Sequence, residues 1–208
     1  MIKNCKQTTK VVVKTCIKLK IIIFFSTYFR ILNKGVIKIN IKIRNVKKED
    51  IPSVVDIQIK GCQTAYKGFI EDEYLNNLSK EYEFRIKKME NNYMTNGFIV
   101  AEQNDEVVAF CRYVFNNSFS PEIENADCEL SVIYVRPDFK YCGIGTQLFN
   151  YVINEFKNKK KSTMILWCLK DNESSKIFYT KMGGTIITER NTELGNKQYK
   201  ECCFKYDI

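Results

Sequence analysis

The sequence predicts an α/β domain of the α+β kind, with helices interspersed among six to seven strands. Three observations carry this. Stretches that alternate apolar and polar residues give way repeatedly to stretches of helical spacing. Turn chemistry separates them, most clearly at Asn104-Asp105 and Gly195-Asn196. One passage, Glu129–Phe149 (ELSVIYVRPDFKYCGIGTQLF), runs from a buried-strand pattern through two glycines into a helix.

In chain order, Ile37–Arg44 (IKINIKIR) alternates as a half-buried strand does. From Asp50 on, Ile51, Val54, Val55, Ile57, Ile59, Cys62 and Ala65 follow a helical spacing. Pro52 is tolerated in the first turn, where its missing N–H would have no partner. Tyr66–Leu78 is expected to be a loop or a short turn of helix. Ser79 is placed to cap a second helix through Met89, with Glu81 near its start and Lys87 and Lys88 near its end, as the helix dipole favours. Phe98–Gln103 and Glu106–Phe115 are strands joined at Asn104-Asp105, and Asn116–Asp127 is a polar loop carrying Glu122, Glu124 and Asp127. Leu130–Val135 is the central strand, ended by Pro137 and Asp138 because proline fixes its own φ and donates no ladder hydrogen bond. Thr146–Lys157 is an amphipathic helix, Thr163–Leu169 a buried strand and Glu173–Met182 a helix. Gly184–Glu193 and Gln198–Tyr206 are the closing strands.

Composition excludes several function classes. The net charge of +9 is concentrated in residues 1–36, which hold eight Lys/Arg and no acid; the remainder carries 25 bases against 24 acids. A nearly neutral body lacks the basic face of a nucleic-acid-binding domain, so no nucleic-acid partner is expected. Residues 1–36 are read as a basic and apolar extension outside the fold, and 37–208 as the working domain. The apolar run Ile21–Phe29 is too short to span a bilayer, which takes about 20 residues, so no stable membrane insertion is expected. A peripheral anchor is the alternative for this stretch. Nine scattered cysteines with no C-x-x-C pair suit a reduced, cytoplasmic chain better than a disulfide framework or a zinc site. The chain has no histidine, which removes Ser-His and Cys-His catalysis and every His-ligated metal. A general base must then be a carboxylate, a tyrosine, a terminal amine or a water chain.

A strand, a glycine turn and a helix N-terminus aim unpaired N–H groups and a positive dipole end at one point, which is an anion site. Leu148 stands where a dinucleotide fingerprint requires a third glycine, and no Gly-Lys-Ser/Thr of a P-loop is present. The stretch Lys140-Tyr141-Cys142-Gly143-Ile144-Gly145 resembles instead the Q/R-x-x-G-x-G/A pyrophosphate motif of the GNAT N-acetyltransferase superfamily. Lysine replaces the usual glutamine or arginine, keeping a cation but losing bidentate geometry. Downstream, Asn172-x-x-Ser175-x-x-Phe178-Tyr179-x-x-x-Gly183-Gly184 resembles the same family's N-x-x-A-x-x-F-Y-x-x-x-G-F, with glycine in the last place. The resemblance covers roughly Ile37 to the C-terminus. It implies the GNAT fold, a mixed and mostly antiparallel central sheet with helices on both faces.

The resemblance also implies acetyl-CoA as co-substrate, no metal, and transfer to a primary amine by direct attack. Amides around Tyr141, Cys142, Gly143, Ile144, Gly145 and Thr146 would bind its pyrophosphate, with Lys140 adding a point charge. Ile133, Tyr134 and Val135 would lie beside the pantetheine arm, and Asn172 and Ser175 would bond pantetheine or phosphates. Asn172 has helix capping as its plainer reading, and Cys142 is a turn filler or, less simply, a reactive thiol. Tyr179 resembles the tyrosine that protonates the departing sulfur; its ordinary pKa of about 10 keeps it a donor. Glu129 resembles the glutamate that takes the amine proton directly or through water. The acceptor is a small amine or a protein N-terminus or lysine, and a homodimer is among the implied partners. Two other readings stand beside this one: a non-catalytic acyl-CoA-binding module, and a protein held at membrane or nucleic acid by its basic tail.

Overall fold

The computed structural model describes residues 40–94 and 97–208. The 1–36 extension and the first residues of the expected Ile37–Arg44 strand lie outside them. The elements run β1 (Lys42–Asn45), α1 (Ile51–Ala65), α2 (Asp72–Lys80), α3 (Tyr82–Glu90), β2 (Phe98–Gln103), β3 (Glu106–Val114), β4 (Cys128–Val135), α4 (Ile144–Asn158), β5 (Thr163–Leu169), α5 (Glu173–Lys181), β6 (Thr185–Leu194) and β7 (Lys197–Asp207). Among the described residues, seven strands form one sheet in the order β1-β2-β3-β4-β5-β7-β6. Every neighbouring pair is antiparallel except β4 and β5. The expected mixed, mostly antiparallel sheet is therefore present, with helices on both faces.

The two faces follow from side-chain alternation. On one, Ile144, Leu148, Phe149, Val152 and Phe156 of α4 form the apolar stripe of a helix and bury against Cys128 and Leu130 of β4 and Met164 and Leu166 of β5. On the other, Ile51, Val54 and Val55 of α1 pack on Phe98, Val100 and Phe110. The β2–β3 hairpin turns at Asn104-Asp105 with both φ positive (50° and 62°), the conformation that Asn and Asp tolerate best after glycine.

One expectation is corrected. Tyr66–Leu78 is not a loop with a cap at Ser79: α2 begins at Asp72 and runs through Ser79, and a separate helix starts at Tyr82. Leu75 and Leu78, three residues apart, are the only buried positions of α2. That is less than two turns of apolar spacing, too little for the period to show. Instead of capping, Ser79 Oγ accepts a hydrogen bond from Gln63 Nε2 (3.1 Å), tying α2 to α1.

The feature that positions a site is a notch in the sheet. β4 and β5 pair only at Cys128↔Met164 and Glu129↔Ile165. Asp127 pins this closed end, its Oδ2 accepting from Ser162 N (2.9 Å), Ser162 Oγ (2.6 Å) and Thr163 N (3.1 Å). Next, Leu130 faces Tyr113 while Val132 faces Arg112, so Ser131 is an extra residue in β4. Such a bulge bends its strand, and beyond it β4 pairs with β3 alone.

Candidate active site

The open end of the notch exposes the free edge of β4. Arg136 N donates to Val108 O (2.9 Å), in register with Val135↔Ala109, so Arg136 and Val108 form a hydrogen-bonded antiparallel pair. Hydrogen-bonded and non-bonded pairs alternate, and Ile133 and Val135 therefore turn their N–H and C=O groups away from β3 into the notch. Both side chains pack on the α4 face, while Tyr134 between them points to the α1 face.

The chain then makes the turn at which the sequence expected an anion site. Tyr141 (φ 63°) and Gly143 (φ 78°) are both left-handed, and Gly143 caps α4. The first α4 bond runs from Gln147 N to Gly143 O (3.0 Å). Among the described residues, the six successive amides of Tyr141–Thr146 find no protein acceptor. Alternating backbone handedness folds such amides into a concave nest, at the positive end of a four-turn helix. Gly143 is required by its φ. At Gly145 the nearest atoms to a β-carbon would be Phe178 Cζ at 3.6 Å, Phe178 Cε2 at 3.8 Å and Val135 Cγ2 at 3.8 Å, all ordinary contacts, so packing alone does not demand glycine there.

Around the nest, Lys140 makes no ion pair among the described residues. Its carbonyl accepts a weak bond from Cys142 Sγ (3.5 Å), and Cys142 packs on the core, as a turn filler does. Asn172 is buried and its side-chain oxygen accepts from Ser175 N (3.2 Å), so it does cap α5. Tyr179 lies on the α4 side of the sheet, its ring 5.3 Å from Phe178 and 5.7 Å from Phe204. No protein group among the described residues bonds its hydroxyl, and burial pushes its pKa well above the ordinary tyrosine value. The hydroxyl keeps its proton at neutral pH and interacts electrostatically with Cys168 of β5 and with Tyr66. Gly183 (φ 96°) and Gly184 end α5; a β-carbon at Gly184 would lie 2.5 Å from Tyr206 Cζ, which accounts for glycine in the last place of that motif.

Glu129 is placed apart from Tyr179, at the closed end of the notch and on the α1 face with Ile165 and Trp167. It is 5% exposed. Ser120 Oγ donates to its Oε2 (2.9 Å) and in turn accepts from Trp167 Nε1 (2.8 Å). Burial raises the Glu129 pKa above the ordinary glutamate value, opposed by the Ser120 bond and by Arg190. Asp127 is spent on the sheet, and Glu122 pairs with Arg190 (2.7 Å), which lies over the Trp167 ring at 3.8 Å and also holds Glu201.

Sequence reasoning missed a hydroxyl cluster on the α1 face. Tyr134 Oη lies 3.2 Å from both Cys62 Sγ and Tyr66 Oη. Gly61 inside α1 was a signal that something approaches this helix closely.

An open strand edge, a row of outward-facing amides and a buried phenol on the α4 side are what the structure brings to this notch. The family model for the acetyltransferase (GNAT) family matches residues 65–184, and the chain belongs to that family. An uncharacterized N-acetyltransferase of Methanocaldococcus jannaschii is 31% identical over 148 residues, covering 68% of this chain and 59% of that protein's length. One from Bacillus subtilis is 27% identical over 165 residues, 77% of this chain and 90% of the relative. Among solved structures, the PaiA N-acetyltransferase of Thermoplasma acidophilum, in complex with coenzyme A, aligns with a TM-score of 0.64 at 19% identity, covering 81% of this chain and 99% of that one. The ribosomal-protein-alanine N-acetyltransferase of Brucella melitensis aligns at 0.56 and 19% identity, covering 80% and 99%. These likenesses show the fold. Among the described residues no helix is long and apolar enough to cross a membrane.

Proposed function

We propose that the protein is an N-acetyltransferase moving an acetyl group from acetyl-CoA to a primary amine, with residues 37–208 as its working domain. The observation that carries this reading is the six amides of Tyr141–Thr146, which find no protein acceptor among the described residues, beside the free β4 edge. Such a row fits a pyrophosphate, since charge-assisted bonds from a helix N-terminus are strong. Lys140 adds a cation, the peptide groups of Ile133 and Val135 hold the pantetheine arm, and Asn172 and Ser175 add polar groups near it. Bound there, acetyl-CoA supplies an activated acetyl thioester.

Tyr179, which burial keeps protonated at neutral pH, gives its Oη proton to the departing sulfur. Glu129 takes the amine proton at its carboxylate, directly or through water; its raised pKa makes it a better base than an ordinary glutamate. Holding both substrates in place supplies the larger share, about 7–11 kcal/mol, and one proton-transfer group about 10²–10⁴ in rate. The test is amine-dependent release of the CoA thiol from acetyl-CoA across an amine panel. Release with some amine supports the enzyme; acetyl-CoA binding without release for any amine indicates a carrier module instead.

A further inference from the structure

We infer that Ser120 and Trp167 are positioning residues for the proposed acetyl transfer: a one-way hydrogen-bond relay, from Trp167 to Ser120 to Glu129, holds Glu129 ionised with one oxygen left over for the amine's proton. The inference rests on the acetyltransferase reading and on Glu129 as its base.

The direction of the relay follows from its chemistry. An indole N–H can only donate, so Trp167 Nε1 at 2.8 Å makes Ser120 Oγ an acceptor. The single hydroxyl proton of Ser120 then goes to Glu129 Oε2 at 2.9 Å. Were Oε2 protonated, two protons would meet in that contact. Ser120 is fully buried, and no other acceptor among the described residues takes its proton. The relay therefore favours the carboxylate. It acts where help is needed, because Glu129 is 5% exposed and burial opposes its charge. No protein group among the described residues bonds Glu129 Oε1. That oxygen remains for the amine, or for a water that passes the proton on.

Three parts of the chain hold the relay in place. In the loop before β4, Ser120 N donates to Asn117 O (2.8 Å) and Ile123 N donates to Ser120 O (3.0 Å), so a turn on each side fixes the serine. Trp167 stands on β5 two residues beyond Ile165, the last β5 residue paired with β4, and so at the notch. From β6, Arg190 covers the Trp167 ring at 3.8 Å and is itself tied to Glu122 of the loop (2.7 Å) and Glu201 of β7 (2.6 Å).

The charged groups that reach Glu129 come from these same elements. Arg190 favours its carboxylate, while Glu122 and Glu201 oppose it. Cys203 of β7 is also within reach, but burial pushes its thiol up to about 12 and it stays neutral. Arg190 is shared between the two acids, and the Ser120 bond is the largest influence offsetting burial.

The test measures kcat across pH for CoA-thiol release by the full chain, with acetyl-CoA saturating and an amine that it accepts. Ser120→Ala is expected to move the acid limb up by about one pH unit, lowering kcat about tenfold on that limb. At high pH its kcat returns toward the parent's, and its acetyl-CoA Kd is unchanged. The amine's own ionisation is common to parent and variant, so a displaced limb belongs to the protein. Trp167→Phe, which keeps a ring beneath Arg190 and removes the N–H, is expected to move the limb the same way by less. The double variant is expected to move it no further than Ser120→Ala, since Trp167 acts through Ser120. Infrared difference spectra of the Glu129 carboxyl, identified by its loss in Glu129→Gln, read the same displacement without turnover. An undisplaced limb and carboxyl titration in Ser120→Ala, or a kcat lowered equally at every pH, overturns the inference while the acetyltransferase reading stands. If Ser120→Ala does not fold, Trp167→Phe decides by the same criteria. Absence of CoA-thiol release with every amine overturns the acetyltransferase reading and this inference with it.

Discussion

The ring of Tyr134 occupies the space beside Gly61 so closely that a β-carbon on Gly61 would lie 2.6 Å from ring atom Cδ1. The ring has little room to yield, because it stacks on Phe110 at 5.5 Å and its hydroxyl meets Cys62 and Tyr66. A glycine inside a helix ordinarily costs about 1 kcal/mol relative to alanine. Here Gly61→Ala is expected to destabilise by about 1–3 kcal/mol despite that gain, since overpacking dominates. Urea unfolding measures it, and combining Gly61→Ala with Tyr134→Leu is expected to recover most of the loss.

Arg44 is the hub of an ion cluster near the start of the fold, donating to Asp50 (2.6 and 3.0 Å) and to Glu102 (2.8 Å). Burial acts to raise the Asp50 pKa, but the Arg44 bond and the Lys47 amide outweigh it and hold the carboxyl below its ordinary value. A depressed folded pKa gives stability that is present above the ordinary aspartate range and lost as pH falls through the folded value. Asp50→Asn is expected to cost roughly 2–3 kcal/mol at neutral pH, less than for a fully buried pair because Glu102 remains. It is also expected to flatten the acid limb of the stability profile, as unfolding midpoints across about pH 3 to 7 would record.

Glu129 has the opposite sign. Its folded pKa lies above the ordinary glutamate value, so the folded state binds more protons between the two values, and stability falls as pH rises through that window. Glu129→Gln removes this dependence and is expected to be as stable as the parent or more so above the window. The proposed base role predicts lower turnover for the same variant, which keeps the two effects distinguishable.

Tyr179→Phe is expected to lower turnover by about 10²-fold or more while leaving acetyl-CoA affinity nearly unchanged. Unaltered turnover would remove Tyr179 from the mechanism. The substitution deletes only a hydroxyl that no described protein group bonds, so the fold is expected to persist.

What was legible in the sequence is what depends on local chemistry. The left-handed turn at Gly143, the Asn104-Asp105 hairpin and the apolar stripe of α4 were all visible as residue types at set spacings. The helix α2 was not, because its two buried leucines offer less than two turns of periodicity. Partners distant in the chain were invisible too. Glu122 and Asp127 read only as members of a polar loop, yet one is held by Arg190, 68 residues on, and the other by Ser162 and Thr163. The Tyr66–Tyr134 contact likewise exists only once α1 is laid on β4.

The amide nest at Tyr141–Thr146 is central to the proposed function. Its most direct test is calorimetric titration of acetyl-CoA into the full chain and into Gly145→Asp, which adds a negative charge on one of the nest's own residues, with its β-carbon in ordinary contact with Phe178 and Val135. Saturable one-to-one binding by the parent is expected, weakened at least about tenfold in the variant with its thermal unfolding little changed. Equal affinity in both proteins, or no binding by the folded parent, would contradict it.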